Sequence, residues 1–311
     1  MISMLRVENL TKKYGNFQVL DGISFEVKRG SIYGFLGPNG AGKTTTMNIL
    51  SGLIGFNGGD IYLNGQSFEK NKRQLLKKVG YLPQSPVFYG YMTAVEYLTF
   101  IGKLGGLENR KIKARIEEIL HIVKLTDSAK RRIGGYSGGM KQRLGLAAAL
   151  FNNPELVFLD EPTSALDPEG RMEVLDFIEG LKKSETTVFF STHILSDIER
   201  VCDEVSILNQ GKILVSDKLD NLKNKYIQPI FDIEFEENIR ELESNLKSIP
   251  WIEKTVVKDN KANIYVHDII KAKQELLGII AKENNPVVSY NLRKSDLEDI
   301  FIRLVNNDDD L

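Results

Sequence analysis

Eight consecutive residues, Gly37-Pro38-Asn39-Gly40-Ala41-Gly42-Lys43-Thr44, have the types and spacing to hold phosphate. They fit the pattern G-x-x-x-x-G-K-[ST]. Glycines let successive backbone N–H groups turn inward without Cβ clashes, and such a nest binds anions. A helix starting at Lys43 would aim its positive end at the same anion. In this pattern the lysine reaches the β- and γ-phosphates of a nucleoside triphosphate, and the hydroxyl of Thr44 ligates Mg²⁺. A Gly-rich turn can carry such a run by accident. Here, however, a compact apolar run, Ser31 to Leu36, precedes it and helix-forming sequence follows. Alone, the loop says only that a nucleoside triphosphate is bound; kinases, GTPases and ATPases all share it.

Two further sets of residues have matching chemistry. Leu156-Val157-Phe158-Leu159 runs straight into Asp160-Glu161, about 115 residues downstream of the loop. Ligands of open parallel sheets gather at the carboxyl ends of strands. Asp160 is then placed to hold Mg²⁺, directly or through water. Glu161 can accept a proton from an attacking water. A solvated acidic turn after a strand is the plainer alternative, and the phosphate loop weighs against it. The second set is Tyr136-Ser137-Gly138-Gly139-Met140-Lys141-Gln142-Arg143. Ser137 can cap a helix, and the two glycines leave N–H groups open to an anion. One phosphate loop already surrounds its own nucleotide. A second anion-ready helix start therefore suits a nucleotide held by another subunit, although Ser-capped helices after Gly-rich loops are common.

The elements that must position these groups read as an α/β core. Met4 to Leu10 and Gly22 to Val27 have strand-like alternation. Leu156 to Leu159 and Thr187 to Phe190 are continuous apolar runs, the mark of parallel strands covered on both faces. A helix is expected from Lys43 to Leu50. From about residue 86 to 150 a helical insertion is expected, with Thr93-Ala94-Val95-Glu96 fitting a capping box. The boundary of the phosphate-loop region falls near 218. Residues 219–311 carry a net charge of −5 against +4 for the rest. They read as strand (from Ile227), helix (from Ile239), strand (from Ile252), strand (from Lys261), helix (from Ile269) and strand (from Val287), the split βαβ or ferredoxin-like order. A terminal amphipathic helix, Ser295 to Leu304, and an acidic tail close the chain. The expected fold is thus a phosphate-loop α/β core over 1–218, with a parallel sheet, an antiparallel β part and the insertion, plus a small α+β domain over 219–311.

Composition narrows the function. The 311 residues carry 41 basic against 42 acidic side chains, a net of −1, which argues against a bulk nucleic-acid binder. The 42% hydrophobic content excludes global disorder. One cysteine, Cys202, allows no intramolecular disulfide and reads as a packed residue in a reducing compartment. No apolar run approaches the roughly 20 residues of a spanning helix, and the first residues have no signal-peptide core. A cytosolic chain is expected. His121 and His267 read as structural.

In their order along the chain, Gly37 to Thr45, Gln84, Tyr136 to Gln142, Leu156 to Glu161, Ser164-Ala165-Leu166-Asp167 and His193 resemble the motifs of ABC transporter ATP-binding subunits over residues 4–218. The resemblance implies further roles. Tyr14 stacks on adenine. Gln84 touches Mg²⁺ and the water and links core to insertion. His193 contacts the γ-phosphate. Asp167 lies at a subunit junction. The signature is usually written Leu-Ser-Gly-Gly-Gln, and Met140 cannot make the polar contacts of that glutamine. Methionine there resembles a subgroup of bacterial exporter ATPases, so activity is expected to survive. Ser295 to Phe301 resembles the end of drug-resistance and bacitracin-type export ATPases.

The resemblance implies a cycle. Two ATP-binding subunits, a homodimer in the simplest case, pair head to tail with two ATP between them. Each ATP meets Lys43, Thr44, Gln84, Asp160, Glu161 and His193 of one subunit and Ser137, Gly138 and Gly139 of the other. A permease on a separate chain receives the motion at the cytoplasmic face of the membrane, with export of a drug, antibiotic or lipid-like compound favoured. The rival is an ABC ATPase acting on ribosomes or DNA. Translation-type members carry two phosphate loops in one chain, and chromosome-type members carry long heptad insertions; this sequence has neither. A small-molecule kinase leaves Ser137 to Gln142 and His193 unexplained.

Overall fold

The computed structural model describes residues 3–164, 166–226, 229–239, 242–283 and 285–294, with backbone alone at 223–226 and 294. The expected terminal helix from Ser295 and the acidic tail lie outside these residues, as does Ala165. The chain divides into two compact units, Met1–Leu219 and Asp220–Leu311.

The first unit opens with β1 (Ser3–Tyr14) and β2 (Phe17–Lys28), paired antiparallel, and then β3 (Ile32–Leu36). Helix α1 (Lys43–Leu50) follows over the expected residues. Next come β4 (Gly58–Leu63), β5 (Gln66–Ser67), α2 (Phe68–Leu75) and β6 (Val79–Leu82). The insertion is three helices, α3 (Ala94–Leu104), α4 (Asn109–Ile122) and α5 (Gly138–Leu150). The expected capping box starts α3: the Thr93 hydroxyl accepts from the Glu96 N–H at 3.2 Å, and the Glu96 carboxylate accepts from the Thr93 N–H at 2.7 Å. Strands and helices then alternate through β7 (Leu156–Asp160), α6 (Pro168–Gly180), β8 (Thr187–Thr192), α7 (Leu195–Val201) and β9 (Glu204–Asn209), and β10 (Lys212–Lys218) turns back on β9.

Two sheets result. Six strands run in the order β10-β9-β3-β8-β7-β6, parallel except for β10. Four run antiparallel in the order β2-β1-β4-β5. Every residue of β3, β7 and β8 is buried, which is why these segments read as unbroken apolar runs. Both sheets share one core with α1. Phe25 of β2 stacks near Phe189 of β8 at 5.4 Å, and Tyr33 lies almost parallel to Phe189 at 5.5 Å. Each fully buried ring contributes roughly 1.5–3 kcal/mol of hydrophobic transfer, so this cluster fixes the strands that carry the site.

Helix α8 (Leu219–Tyr226) leads into the second unit. Its order is β11 (Pro229–Phe235), α9 (Leu242–Leu246), β12 (Ile252–Lys258), β13 (Lys261–Val266), α10 (Ile269–Ile280) and β14 (Val287–Lys294). The sheet order β12-β13-β11-β14, all antiparallel, is the ferredoxin-like arrangement. Phe231, Ile233 and Phe235 of β11 pack with Leu242 and Leu246 of α9 and Ala272, Leu276 and Ile280 of α10. The described part of α9 begins later than Ile239, where the sequence suggested.

Candidate nucleotide site

The strand order brings four segments side by side. β3, β8, β7 and β6 are consecutive parallel neighbours, so their carboxyl ends share one edge. Gly37 follows β3 and His193 follows β8. Asp160 ends β7 and Glu161 leaves it, while Gln84 stands exposed two residues past β6. Residues far apart in sequence thus meet where ligands of parallel sheets bind.

The loop from Gly37 needs its glycines for two reasons. A Cβ on Gly37 would lie 2.4 Å from the Leu208 carbonyl oxygen, and Gly42 has φ +110°. No side chain caps α1, which leaves its first N–H groups for an anion. Pro38 is half-buried, Asn39, Gly40 and Thr44 are exposed, Thr45 is half-buried, and Ala41 is buried. Lys43 is buried too. Its Nζ donates to the carbonyls of Gly37 at 2.7 Å and Pro38 at 3.1 Å, and lies 3.3 Å from Glu161 Oε1. The other Glu161 oxygen lies 2.9 Å from His193 Nδ1. One carboxylate therefore joins the phosphate-loop lysine to the histidine.

Asp160 is fully buried, and Ser191 Oγ donates to its Oδ1 at 2.5 Å. Its Oδ2 is buried without a hydrogen-bond partner among the described residues. Burial raises the Asp160 carboxyl above the ordinary range, while the hydroxyls of Ser191 and Thr44 pull the other way. A buried, under-satisfied carboxylate oxygen near a threonine hydroxyl is a fitting donor set for Mg²⁺, a hard cation that prefers oxygen. Asp160 also pushes the neighbouring Tyr81 hydroxyl upward, after burial itself, to about 12.

Ser137 caps α5 as expected, its hydroxyl accepting from the Met140 N–H at 3.2 Å. Gly138 and Gly139 form the first turn. Met140 thus contributes its backbone to the cap. Asp167 caps α6 by accepting from the Gly170 N–H at 3.3 Å. Ser137, Gly139 and Asp167 line one open concavity of about 500 Å³ with Arg143 and Glu173, and no phosphate-loop residue lines it. Tyr14 lies at the β1–β2 turn, 52% exposed, with the Lys12 ammonium 4.8 Å from its ring centroid.

The chain is 43% identical over 303 residues to "Uncharacterized ABC transporter ATP-binding protein YxlF" of Bacillus subtilis, covering 97% of this chain and 100% of that one. The chain belongs to the ATP-binding subunits of ABC transporters. It matches the ABC transporter family model over residues 20–164 and the model of the ATP-binding protein DrrA1-3-like C-terminal domain over 218–305. It is 38% identical to the bacitracin transport ATP-binding protein BcrA of Bacillus licheniformis, over 98% of each chain. An ATP-binding cassette solved as a dimer in a post-hydrolysis state with ADP and phosphate superposes with a TM-score of 0.64 at 25% identity, covering 70% of this chain and 99% of that one. This is therefore an ATPase subunit of a transporter, and nothing found favours an action on ribosomes or DNA.

Three residues of the site's frame make contacts that the sequence does not announce, although Gln142 ends the Tyr136–Gln142 motif. Ser191 bridges to Asp160, Gln142 donates to the Pro162 carbonyl at 3.1 Å, and Asp197 accepts from Thr163 Oγ1 at 2.6 Å. All are polar residues in or beside apolar or helical stretches. Only the fold reveals that each faces the Asp160–Glu161 loop.

Proposed function

We propose that two copies of this chain pair head to tail around two ATP molecules and power the export of an antibiotic or similar amphipathic compound through a separate permease. The observation that carries the pairing is the separation of the two anion-ready helix starts. One lies at Lys43 beside Glu161 and His193; the other lies at Ser137 in a concavity shared with Asp167. A single nucleotide has its phosphates in the first, and the second is complete for the nucleotide of a partner. The dimeric cassette with ADP and phosphate supports the same reading, and the likeness to the bacitracin transport protein supports the cargo class.

In this reading Lys43 leaves the Gly37 and Pro38 carbonyls for the β- and γ-phosphates. Glu161, released from Lys43, accepts a proton from the attacking water. His193 stays on Glu161 and holds the γ-phosphate. Gln84 orients the water, and Tyr14 stacks on the adenine. Ser137, Gly138 and Gly139 of the partner close over the γ-phosphate, and Asp167 meets the partner at the junction. Mg²⁺ held by Thr44, Asp160 and Gln84 would neutralise charge on the phosphates during transfer. Most of the acceleration is then positioning and charge stabilisation.

No helix of the described residues is long and apolar enough to cross a membrane; in this reading the permease is a separate chain. Its dock is the aromatic surface just past Gln84. Val87, Tyr89, Tyr91, Phe100 and Leu104 are exposed there, and the Tyr89 ring contacts Tyr91 and Phe100. Exposed apolar patches of this kind mark interaction sites. The chain then works at the cytoplasmic face of the membrane.

Glu161→Gln tests the core of the proposal. ATP binding is expected to persist, hydrolysis to fall by about 10²–10⁴-fold as for loss of a general base, and an ATP-bound dimer to accumulate in size-exclusion chromatography. Hydrolysis at the parental rate would remove Glu161 from the reaction. Gentle detergent purification of the tagged chain from its native cells tests the partner. A stoichiometric multi-span protein is expected, and ribosomal or DNA-repair partners without one would overturn it.

A further inference from the structure

The backbone that carries Glu161 is strained. Glu161 has φ +50° and is followed by Pro162, although proline disfavours compact conformations in the residue before it. Such a conformation persists only where the surroundings over-determine it. The anchors are visible. The Glu161 N–H donates to the Ser191 carbonyl at 3.1 Å and approaches Ser191 Oγ at 3.3 Å. Ser164 Oγ closes the turn on the Glu161 carbonyl at 3.1 Å. Thr163 Oγ1 donates to Asp197, which Arg171 also holds through its Nε at 2.6 Å. The remaining anchor comes from α5. Gln142 is 2% exposed, and its Nε2 donates to the Pro162 carbonyl at 3.1 Å.

These anchors have different origins. Asp197 belongs to the helix after His193, whereas Gln142 belongs to the helix that Ser137 caps. A buried side-chain amide in a helix full of leucine and alanine has no packing advantage over an apolar residue, and it needs a partner to be tolerated. Its partner is the peptide next to Glu161. We propose that Gln142 is a positioning residue for Glu161: it ties the Ser137 helix, which serves the partner's nucleotide, to the loop that sets the proton acceptor for the chain's own nucleotide. The proposal rests on the reading of Glu161 as that acceptor. In the paired enzyme a shift of the Ser137 helix reaches Pro162 through one hydrogen bond, so closure at one nucleotide adjusts the carboxylate at the other.

The test uses the full chain with Gln142→Met, which keeps the volume and removes the donor, and with Gln142→Glu. Hydrogen exchange reports the loop directly. In Gln142→Met the amides of Glu161, Ser164 and Leu166 should exchange about tenfold faster and kcat should fall about tenfold, the equivalent of one lost hydrogen bond. The Kd for a fluorescent ATP analogue should stay within about twofold, because the phosphate loop is untouched. In Gln142→Glu an ionised carboxylate repels the Pro162 carbonyl and a protonated one donates to it. The kcat profile should therefore gain a limb that recovers toward acid pH. Parental exchange at the three amides in Gln142→Met overturns the proposal, as does a weakening of nucleotide binding in step with kcat. If Gln142→Met does not fold, a Gln142→Glu profile of parental shape overturns it. A fully active Glu161→Gln would sink the role of Glu161 while leaving the exchange result to decide the anchor by itself.

Discussion

In the N-terminal unit Lys43, Asp160, Glu161, Asp197 and Glu204 are buried ionisable side chains, whereas in the C-terminal unit the described buried residues, from Leu222 to Ile280, are all apolar. Asp232, on the C-terminal sheet, stays half-exposed. It accepts from Asn263 at 3.1 Å and from Arg293 at 2.6 Å. The N-terminal charges are held by one another: Lys43 by Glu161, Asp197 by Arg171, and Glu204 by Lys28. Burying charge costs stability unless it is well paired. One unit bears that cost, in part around the phosphate loop and the end of β7, where Lys43, Asp160 and Glu161 stand, and in part away from it, as at Glu204, the first residue of β9. The other is assembled by apolar packing.

Substitutions should separate the two. Lys43→Ala is expected to lower turnover by about 10²–10³-fold, the scale of losing one preorganised charge contact, as read by phosphate release. Parental turnover would break the comparison at its centre. Leu276→Ala should destabilise the C-terminal unit by about 2–5 kcal/mol, the usual cost of a buried leucine. The chain's single tryptophan, Trp251, lies in that core and reports the loss by fluorescence during denaturation. ATP affinity should not change; an equal loss of affinity would show that the second unit supports the site.

Asp160→Asn sharpens the contrast, because it should stabilise the metal-free chain while abolishing metal-dependent turnover. In the folded state the carboxyl is raised above its ordinary value, chiefly by burial. The folded state then binds the proton more tightly. This contribution is full below the unfolded carboxyl value and is lost as pH rises through the raised folded one. Thermal midpoints without metal should accordingly fall with pH just above the ordinary carboxylate range, and Asp160→Asn should flatten that slope. The gain at neutral pH is about 1 kcal/mol, the lower end for an unsatisfied buried oxygen. A steeper slope in the variant would place the effect elsewhere. The smallest change is Asp268→Ala, which removes the cap that accepts from the Ile270 and Lys271 N–H groups at the start of α10. It should cost about 1 kcal/mol, seen in the Trp251 transition alone.

The parts of the molecule that were legible in the sequence are those whose cause is local. The phosphate loop, α1, the Thr93 capping box and the Ser137 cap each depend on a few neighbouring residues. Strands β12 and β13 follow from alternation bounded by a turn. The parallel strands β3, β7 and β8 betray themselves by unbroken apolar runs. What was not legible depends on distant partners. Gln142 ends the Tyr136–Gln142 motif with no sign of what it holds, and Asp197 looks like an acid in the first turn of a helix. Their meaning comes from Pro162 and Thr163, which only folding brings near. Strands β4, β5, β6, β9 and β10 and helices α2, α6, α7 and α8 were not assigned from the sequence either.

The consecutive order β3-β8-β7-β6 makes the sheet edge a ruler. Neighbouring strands lie about 4.8 Å apart, so the three intervals from β3 to β6 span about 14 Å. The phosphate loop, His193, the Asp160–Glu161 pair and Gln84 are graduations on that scale. The strand spacing behind them is set by backbone hydrogen bonds within the sheet, and a substitution on the exposed surface of an outer helix leaves it unchanged. The exposed surface of the insertion can therefore vary without recalibrating the spacing at which these four segments stand.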